Sequence, residues 1–129
     1  MEGGFCYGTS LDEDCFSYLL NQKTSMHVIA VDYILSYKKH FPAQLEEIDN
    51  QIKYILKKYP EIDQENIIVI GHSAGGNLAA AMVIKKNREN DYKFRKMILD
   101  YPYTELYLPM SERYKKPYNF SNRLLSEFE

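Results

Sequence analysis

The sequence predicts an α/β fold with a mainly parallel sheet and flanking helices, on three observations. Stretches with apolar residues at helical spacing alternate with compact runs rich in β-branched residues. Those runs are apolar throughout, as strands covered on both faces are. One run passes straight into Gly71-His72-Ser73-Ala74-Gly75-Gly76 before helical spacing resumes. Alternation of this kind implies right-handed crossovers between parallel strands.

Taken in order, Ser10-Leu11-Asp12-Glu13 has the Ser-x-x-Glu form of a capping box, in which hydroxyl and carboxylate satisfy unpaired N–H groups at a helix start. Leu11, Cys15 and Leu19, flanked by Phe16 and Leu20, then recur at helical spacing, which predicts an amphipathic helix from Ser10 to about Gln22. His27-Val28-Ile29-Ala30-Val31-Asp32-Tyr33 predicts a buried strand. Pro42 suits the first turn of a second helix, where its missing N–H costs nothing. Leu45, Ile48, Ile52, Ile55, Leu56 and Tyr59 form that helix's apolar stripe, Lys57 and Lys58 complement its negative end, and Pro60 stops it.

A polar loop over 61–65 leads to a second strand at 66–70. Leu78, Ala79, Met82 and Val83 carry the next helix, with Lys85, Lys86 and Arg88 at its far end. A third short strand covers 96–101, and Pro102 helps to end it. Beyond residue 103 periodicity fails, apart from a weak helical pattern near Leu124 and Leu125. Without repeats or low-complexity tracts, residues 1–129 read as one domain, a core over 1–105 and an irregular tyrosine-rich tail over 106–129.

Composition narrows the function. With 129 residues and 45% apolar content, the chain can bury enough surface to fold without a disulfide or metal staple. Its 16 basic and 18 acidic side chains include no basic block, which excludes the electrostatic footprint of a nucleic-acid binder. No apolar run is long enough to span a membrane, and the first residues lack the basic-then-apolar order of a secretory signal, so a cytoplasmic location is expected. Cys6 and Cys15 form no CxxC or His-rich pattern; free thiols buried as small hydrophobes are expected over reactive or redox-active ones, and no metal site.

The chemistry concentrates at position 73. Gly71-His72-Ser73-Ala74-Gly75 fits G-x-S-x-G between a predicted strand and a predicted helix, the context of a nucleophile elbow. A serine on so tight a bend is strained, and side chains two residues to either side would collide with the adjoining elements, so Gly71 and Gly75 remove the collision. The helix beginning at Ala74 points unpaired N–H groups at the reacting centre, where they can stabilise an oxyanion. The competing reading is a tight turn with an idle serine. A phosphate loop is excluded, because no G-x-x-x-x-G-K-[ST] pattern occurs.

Three blocks of the chain resemble the hormone-sensitive-lipase-like branch of the α/β-hydrolase superfamily, which includes acetyl esterases and carboxylesterases. GHSAGGNLAA, from Gly71 to Ala80, is very close to that branch's nucleophile segment. DYILSYKKHFPA, from Asp32 to Ala43, is similar to its DYRLAPEHPFPA segment, and Met1-Glu2-Gly3-Gly4-Phe5 resembles the end of its HGGGF motif. Here Met1 stands for histidine, Glu2 for glycine, Ile34 for arginine and Tyr37-Lys38 for Pro-Glu. The resemblance implies a serine hydrolase acting on small acyl esters, without metal or cofactor. It implies Ser73 as nucleophile and an oxyanion hole from Ala74 with Glu2 and Gly3, or with Gly4 after a one-residue shift.

The resemblance covers residues 1–105, the middle of a full family domain, so the expected fold is a partial α/β-hydrolase fold lacking first and C-terminal strands. In the family, the strand before the glycine motif lies between those matched here by 27–33 and 66–71. The chain would then be a truncated or split hydrolase, prone to self-association or to pairing with a complementing chain, or its sheet would close by direct pairing across the gap. The family order is serine, acid, histidine, yet no histidine follows His72. His27 opens a strand at the wrong sheet edge, His72 is the serine's own neighbour and points elsewhere, and His40 lies on the correct edge as a substitute base or a solvated loop residue. Asp100 caps a strand end or serves as triad acid, and Asp32 holds its local loop by hydrogen bonds. Two alternatives to an enzyme stay open: a non-catalytic α/β-hydrolase-like ligand-binding module lined by Tyr101, Tyr103, Tyr107, Tyr114 and Tyr118, and an interaction fragment.

Overall fold

The structure is a computed structural model that describes residues 4–89 and 91–104. Glu2, Gly3, Tyr107, Tyr114, Tyr118 and the whole tail expected over 106–129 lie outside the described residues. The elements are a 3-10 segment Ser10–Glu13, α1 (Asp14–Thr24), α2 (Ala43–Lys58), a 3-10 turn Gln64–Asn66, β1 (Ile68–His72), α3 (Ser73–Arg88) and β2 (Lys96–Asp100). β1 and β2 pair in parallel, from Ile68 opposite Lys96 to His72 opposite Asp100. This is a partial α/β-hydrolase fold of helices around a small parallel sheet.

The first helix starts differently from the expected capping box. Thr9 is the N-cap, and its N–H donates to the Asp12 carboxylate at 2.8 Å. Ser10 is drawn away to Asp32, donating its N–H at 2.6 Å and its hydroxyl at 3.0 Å. Asp32 therefore ties two distant segments together instead of holding only its own loop. The helix runs on to Thr24 and ends at Ser25, whose φ of 58° is left-handed and whose N–H donates to Asn21 O at 2.7 Å. None of its residues is buried, so the stripe of Leu11 and Leu19 lies open. Cys15 on this helix, like Cys6 before it, is an exposed free thiol and not the buried one expected, since no described element covers the helix.

The strand expected at 27–33 does not form. A strand needs a neighbour to accept its N–H and C=O groups, and among the described residues this segment joins no ladder. Among the described residues β1 is bonded to β2 alone, so direct pairing across the gap is absent there as well. Val31 and Tyr33 still pack against the core, while Ile29 remains 50% exposed. β2 likewise falls short of the buried strand expected: Met97 and Ile98 are exposed, because no described element covers them.

The second helix is the expected one, with Pro42 one position earlier, at the N-cap after a cis Phe41-Pro42 bond. Its stripe is buried only toward the N-terminal half; Tyr59 is exposed. Leu45 and Ile48 of α2 meet Leu78 and Met82 of α3, and Phe5, Val31, Tyr33, Ile52, Ala81 and Phe94 close around them. The strand after it begins two residues later than expected because Asp63 takes the preceding residues into a turn, accepting from Glu65 N–H at 3.0 Å and from the Asn66 side chain.

An ionic cluster buried beside this core went unforeseen. Lys86, fully buried, bridges Asp49 at 2.6 Å, Glu89 at 2.7 Å and Asp91 at 3.1 Å, and its ammonium lies 4.5 Å from the Tyr92 ring centroid. Asp49 also receives Lys85 at 2.8 Å, Lys53 at 3.0 Å and the Tyr92 hydroxyl at 2.9 Å. Burial pushes the Asp49 carboxyl up, but hydrogen bonds from Lys85, Lys86, Lys53 and Tyr92 outweigh it and hold it well below the usual carboxylate range. Burial works against the Lys86 ammonium too, and its three carboxylate partners raise it above an ordinary lysine. The cluster fastens the middle of α2 and the last turn of α3 to the segment after α3.

Candidate active site

β1 ends at His72 and α3 begins at Ser73, with no loop between them. His72 is still extended (φ −105°, ψ 139°), whereas Ser73 has φ 47°, the left-handed region that a side chain disfavours. Such a conformation costs about 1–3 kcal/mol and persists only when its surroundings enforce it. A Cβ on Gly71 would lie 2.3 Å from Gly75 O and 2.7 Å from Gly76 N, so the strand and the first helical turn touch backbone to backbone. A Cβ on Gly76 would lie 2.9 Å from Pro102 Cβ. The small residues at 71, 75 and 76 thus let three stretches of backbone converge on the bend.

The segment after β2 completes the enclosure. Tyr103 N–H donates to Ser73 O at 2.9 Å, and the Asn77 side-chain amide donates to Tyr103 O at 2.8 Å. The Phe5 ring meets the Tyr103 ring edge-on, with centroids 6.4 Å apart. Phe5 follows Gly4, whose φ is 86° and whose carbonyl accepts from Tyr7 N–H at 3.1 Å and the Tyr33 hydroxyl at 3.3 Å. The Gly4 segment is therefore linked to the Ser73 turn through Tyr103. Ala74, 2% exposed, is the second residue of α3, and its N–H belongs to the first helical turn, which has no intrahelical acceptors.

His72 is held away from the serine by two carboxylates. Its Nδ1 is 3.0 Å from Asp100 Oδ2 and its Nε2 is 3.7 Å from Glu13 Oε2. Phe16 stands edge-on to the imidazole, with centroids 5.0 Å apart, and Tyr101 lies 6.0 Å away on a tilted ring. Nδ1 is thus taken up by Asp100, and among the described residues no hydrogen bond joins His72 to the Ser73 hydroxyl. Asp100 binds this histidine across the ladder, neither capping its strand end nor standing free. Asn77 was missed in the sequence, where Glu13 stood as part of a capping box and Tyr103 as a tyrosine lining a ligand site; pairing the last residues of two consecutive parallel strands would have found the Asp100 contact.

His27 and His40 are exposed, and among the described residues no hydrogen bond joins either imidazole, or any other group, to the Ser73 hydroxyl. Two surface hollows lie elsewhere, one of about 10 Å³ between Tyr7 and Asp32 and one of about 450 Å³ along α2 beside Lys39 and Tyr54. Neither is lined by Ser73, and the strain and packing at the bend, rather than a hollow, single it out. Among the described residues no group of three or more histidine, cysteine, aspartate or glutamate side chains could hold a metal ion. No described helix is long and apolar enough to cross a membrane.

A strand running directly into a helix through a left-handed serine, between glycines that admit backbone contact, is the architecture of the α/β hydrolases. A family model described as alpha/beta hydrolase fold matches residues 2–127, and the chain belongs to that family, in its hormone-sensitive-lipase-like branch. Human arylacetamide deacetylase-like 2 is 37% identical to it, over 83% of this chain and 29% of that protein. The arylesterase of Saccharolobus solfataricus is 32% identical over 90% of this chain and 39% of the relative. Among solved structures, a bacterial heroin esterase superposes with a TM-score of 0.73 at 31% identity, covering 78% of this chain and 33% of the esterase. The chain spans less than two-fifths of the length of each.

Proposed function

We infer that this chain carries the nucleophile-bearing part of a serine carboxylesterase acting on small acyl esters. The observation that carries the reading is Ser73 at φ 47° on the β1 to α3 bend, pinned by the Gly71 and Gly75 backbones. In this reading Ser73 Oγ attacks the ester carbonyl carbon, a general base takes the hydroxyl proton, and the alcohol leaves to give an acyl-enzyme that water hydrolyses. Ala74 N–H and the Gly3 and Gly4 segment donate to the carbonyl oxygen as it gains charge. The names of the relatives, a deacetylase and esterases, support acyl transfer from small substrates as the class.

Among the described residues no general base stands at Ser73. His72 turns its Nδ1 to Asp100, His27 and His40 are exposed, and no histidine follows position 72. Loss of one oxyanion donor costs about two to three decades in rate, and loss of the base costs more. Turnover of p-nitrophenyl acetate by this chain alone is therefore expected to be slight, and a partner copy or complementing chain would be needed for full activity. The test is a fluorophosphonate probe with peptide mapping. Ser73 should be labelled ahead of every other serine and the signal lost in Ser73→Ala. Saturable binding of an ester without labelling would replace this reading by a ligand-binding module.

A further inference from the structure

Tyr103 is tied to α3 at both of its backbone groups: its N–H rests on the Ser73 carbonyl, and its carbonyl receives the amide of Asn77, one helical turn further on. A single side chain thereby closes a ring of hydrogen bonds over the turn that begins with the strained serine. The same residue carries the ring on which Phe5 packs, so Tyr103 also sets where the Gly4 segment lies relative to Ser73. Pro102, immediately before it, fills the space that Gly76 leaves open.

We propose that Asn77 is a positioning residue for acyl transfer: by holding Tyr103 against the first turn of α3, it keeps Ser73 left-handed and the Gly4 segment in register with it. The role rests on the serine-esterase reading given above. It demands an amide. An aspartate of the same shape would set carboxylate oxygen against carbonyl oxygen, alanine would remove the 2.8 Å amide bond, and glutamine keeps the donor on a stem one methylene longer. Asn77 touches neither substrate nor nucleophile; it acts through Tyr103.

The experiment compares the full chain with Asn77→Ala, Asn77→Asp and Asn77→Gln by amide hydrogen exchange and by the rate of fluorophosphonate labelling at Ser73. In the alanine and aspartate variants the Tyr103 amide should exchange about tenfold faster, the loss expected for one hydrogen bond, while ladder amides such as Val69 and Ile98 keep their protection. Labelling at Ser73 should slow by about the same factor, and the glutamine variant should recover part of both. Unchanged exchange at Tyr103 would overturn the proposal. Faster exchange at Tyr103 and throughout the ladder would reduce Asn77 to a general stabiliser and overturn it too. So would faster Tyr103 exchange with undiminished labelling. If the unsubstituted chain is not labelled at Ser73 even with imidazole added as an external base, the serine reading itself fails and the positioning role with it, whatever exchange shows.

Discussion

Replacing Gly71 by alanine tests the packing on which the Ser73 bend depends. The added methyl carbon would sit 2.3 Å from Gly75 O and 2.5 Å from Gly75 C, about 1 Å short of ordinary contact. Both obstacles are backbone, so no side chain can swing aside; β1 and α3 must part, or the first turn of α3 must unwind. Overpacking in a core costs about 1–3 kcal/mol where side chains can adjust, and a rigid backbone collision belongs at or beyond the upper end. For a chain of this length about 3 kcal/mol corresponds to a fall in melting temperature of about 10 °C. Circular dichroism melts of Gly71→Ala and the unsubstituted chain measure it, and peptide mapping after fluorophosphonate treatment should show Ser73 labelling lost even well below the transition. A melting temperature within 2 °C of the parent, or undiminished labelling at Ser73, would refute the reasoning, since a drop near 10 °C is what the collision requires (about 4 °C per kcal/mol).

The buried ionic cluster makes two further predictions. Asp49→Asn leaves Lys86 buried with its nearest carboxylate gone and should cost about 3–5 kcal/mol in urea unfolding, an effect that an exposed pair would not give. Stability should also fall at both ends of the pH scale. Asp49, Glu89 and Asp91 are held below ordinary carboxyl values in the folded chain, so the unfolded chain binds protons first and stability is lost as pH falls below about 4. Lys86 and Tyr92 are raised, so their contribution is complete below about 10 and is lost as pH climbs through the folded values. Urea midpoints across pH check both limbs, and in Asp49→Asn the acid limb should flatten.

Local pattern made much of the fold readable in advance, and tertiary partners account for what it missed. Helix α2 was evident because its stripe, its terminal lysines and Pro60 all agree, and α3 because small and apolar residues repeat after the glycines. The bend at Ser73 was evident because glycine at 71 has a steric cause visible in spacing alone. The 27–33 run shows the opposite: its β-branched composition favours a strand, but a strand is a property of a pair, and no described neighbour completes one. Ser10 was misread for a similar reason, since Asp32, 22 residues away, competes for its hydrogen bonds. Lys86 reads in the sequence only as one of three basic residues at a helix end, because it is tertiary packing that brings the Asp49 and Asp91 carboxylates to it. Around the serine, the engagement of His72 by Asp100 and Glu13 depends on strand register and on α1 docking, neither of which composition encodes.

Supplying a base from solution examines the nucleophile most directly. Imidazole added at rising concentration can accept the Ser73 proton that no described side chain is placed to take, and peptide mapping of the phosphonylated chain reads the adduct itself rather than probe consumption. Adduct at Ser73 should form faster as imidazole rises, while the other serines stay unmodified and Ser73→Ala gains nothing. A chain that never carries adduct at Ser73 at any imidazole concentration, or one that reacts equally at its exposed serines, contradicts a nucleophile at this bend.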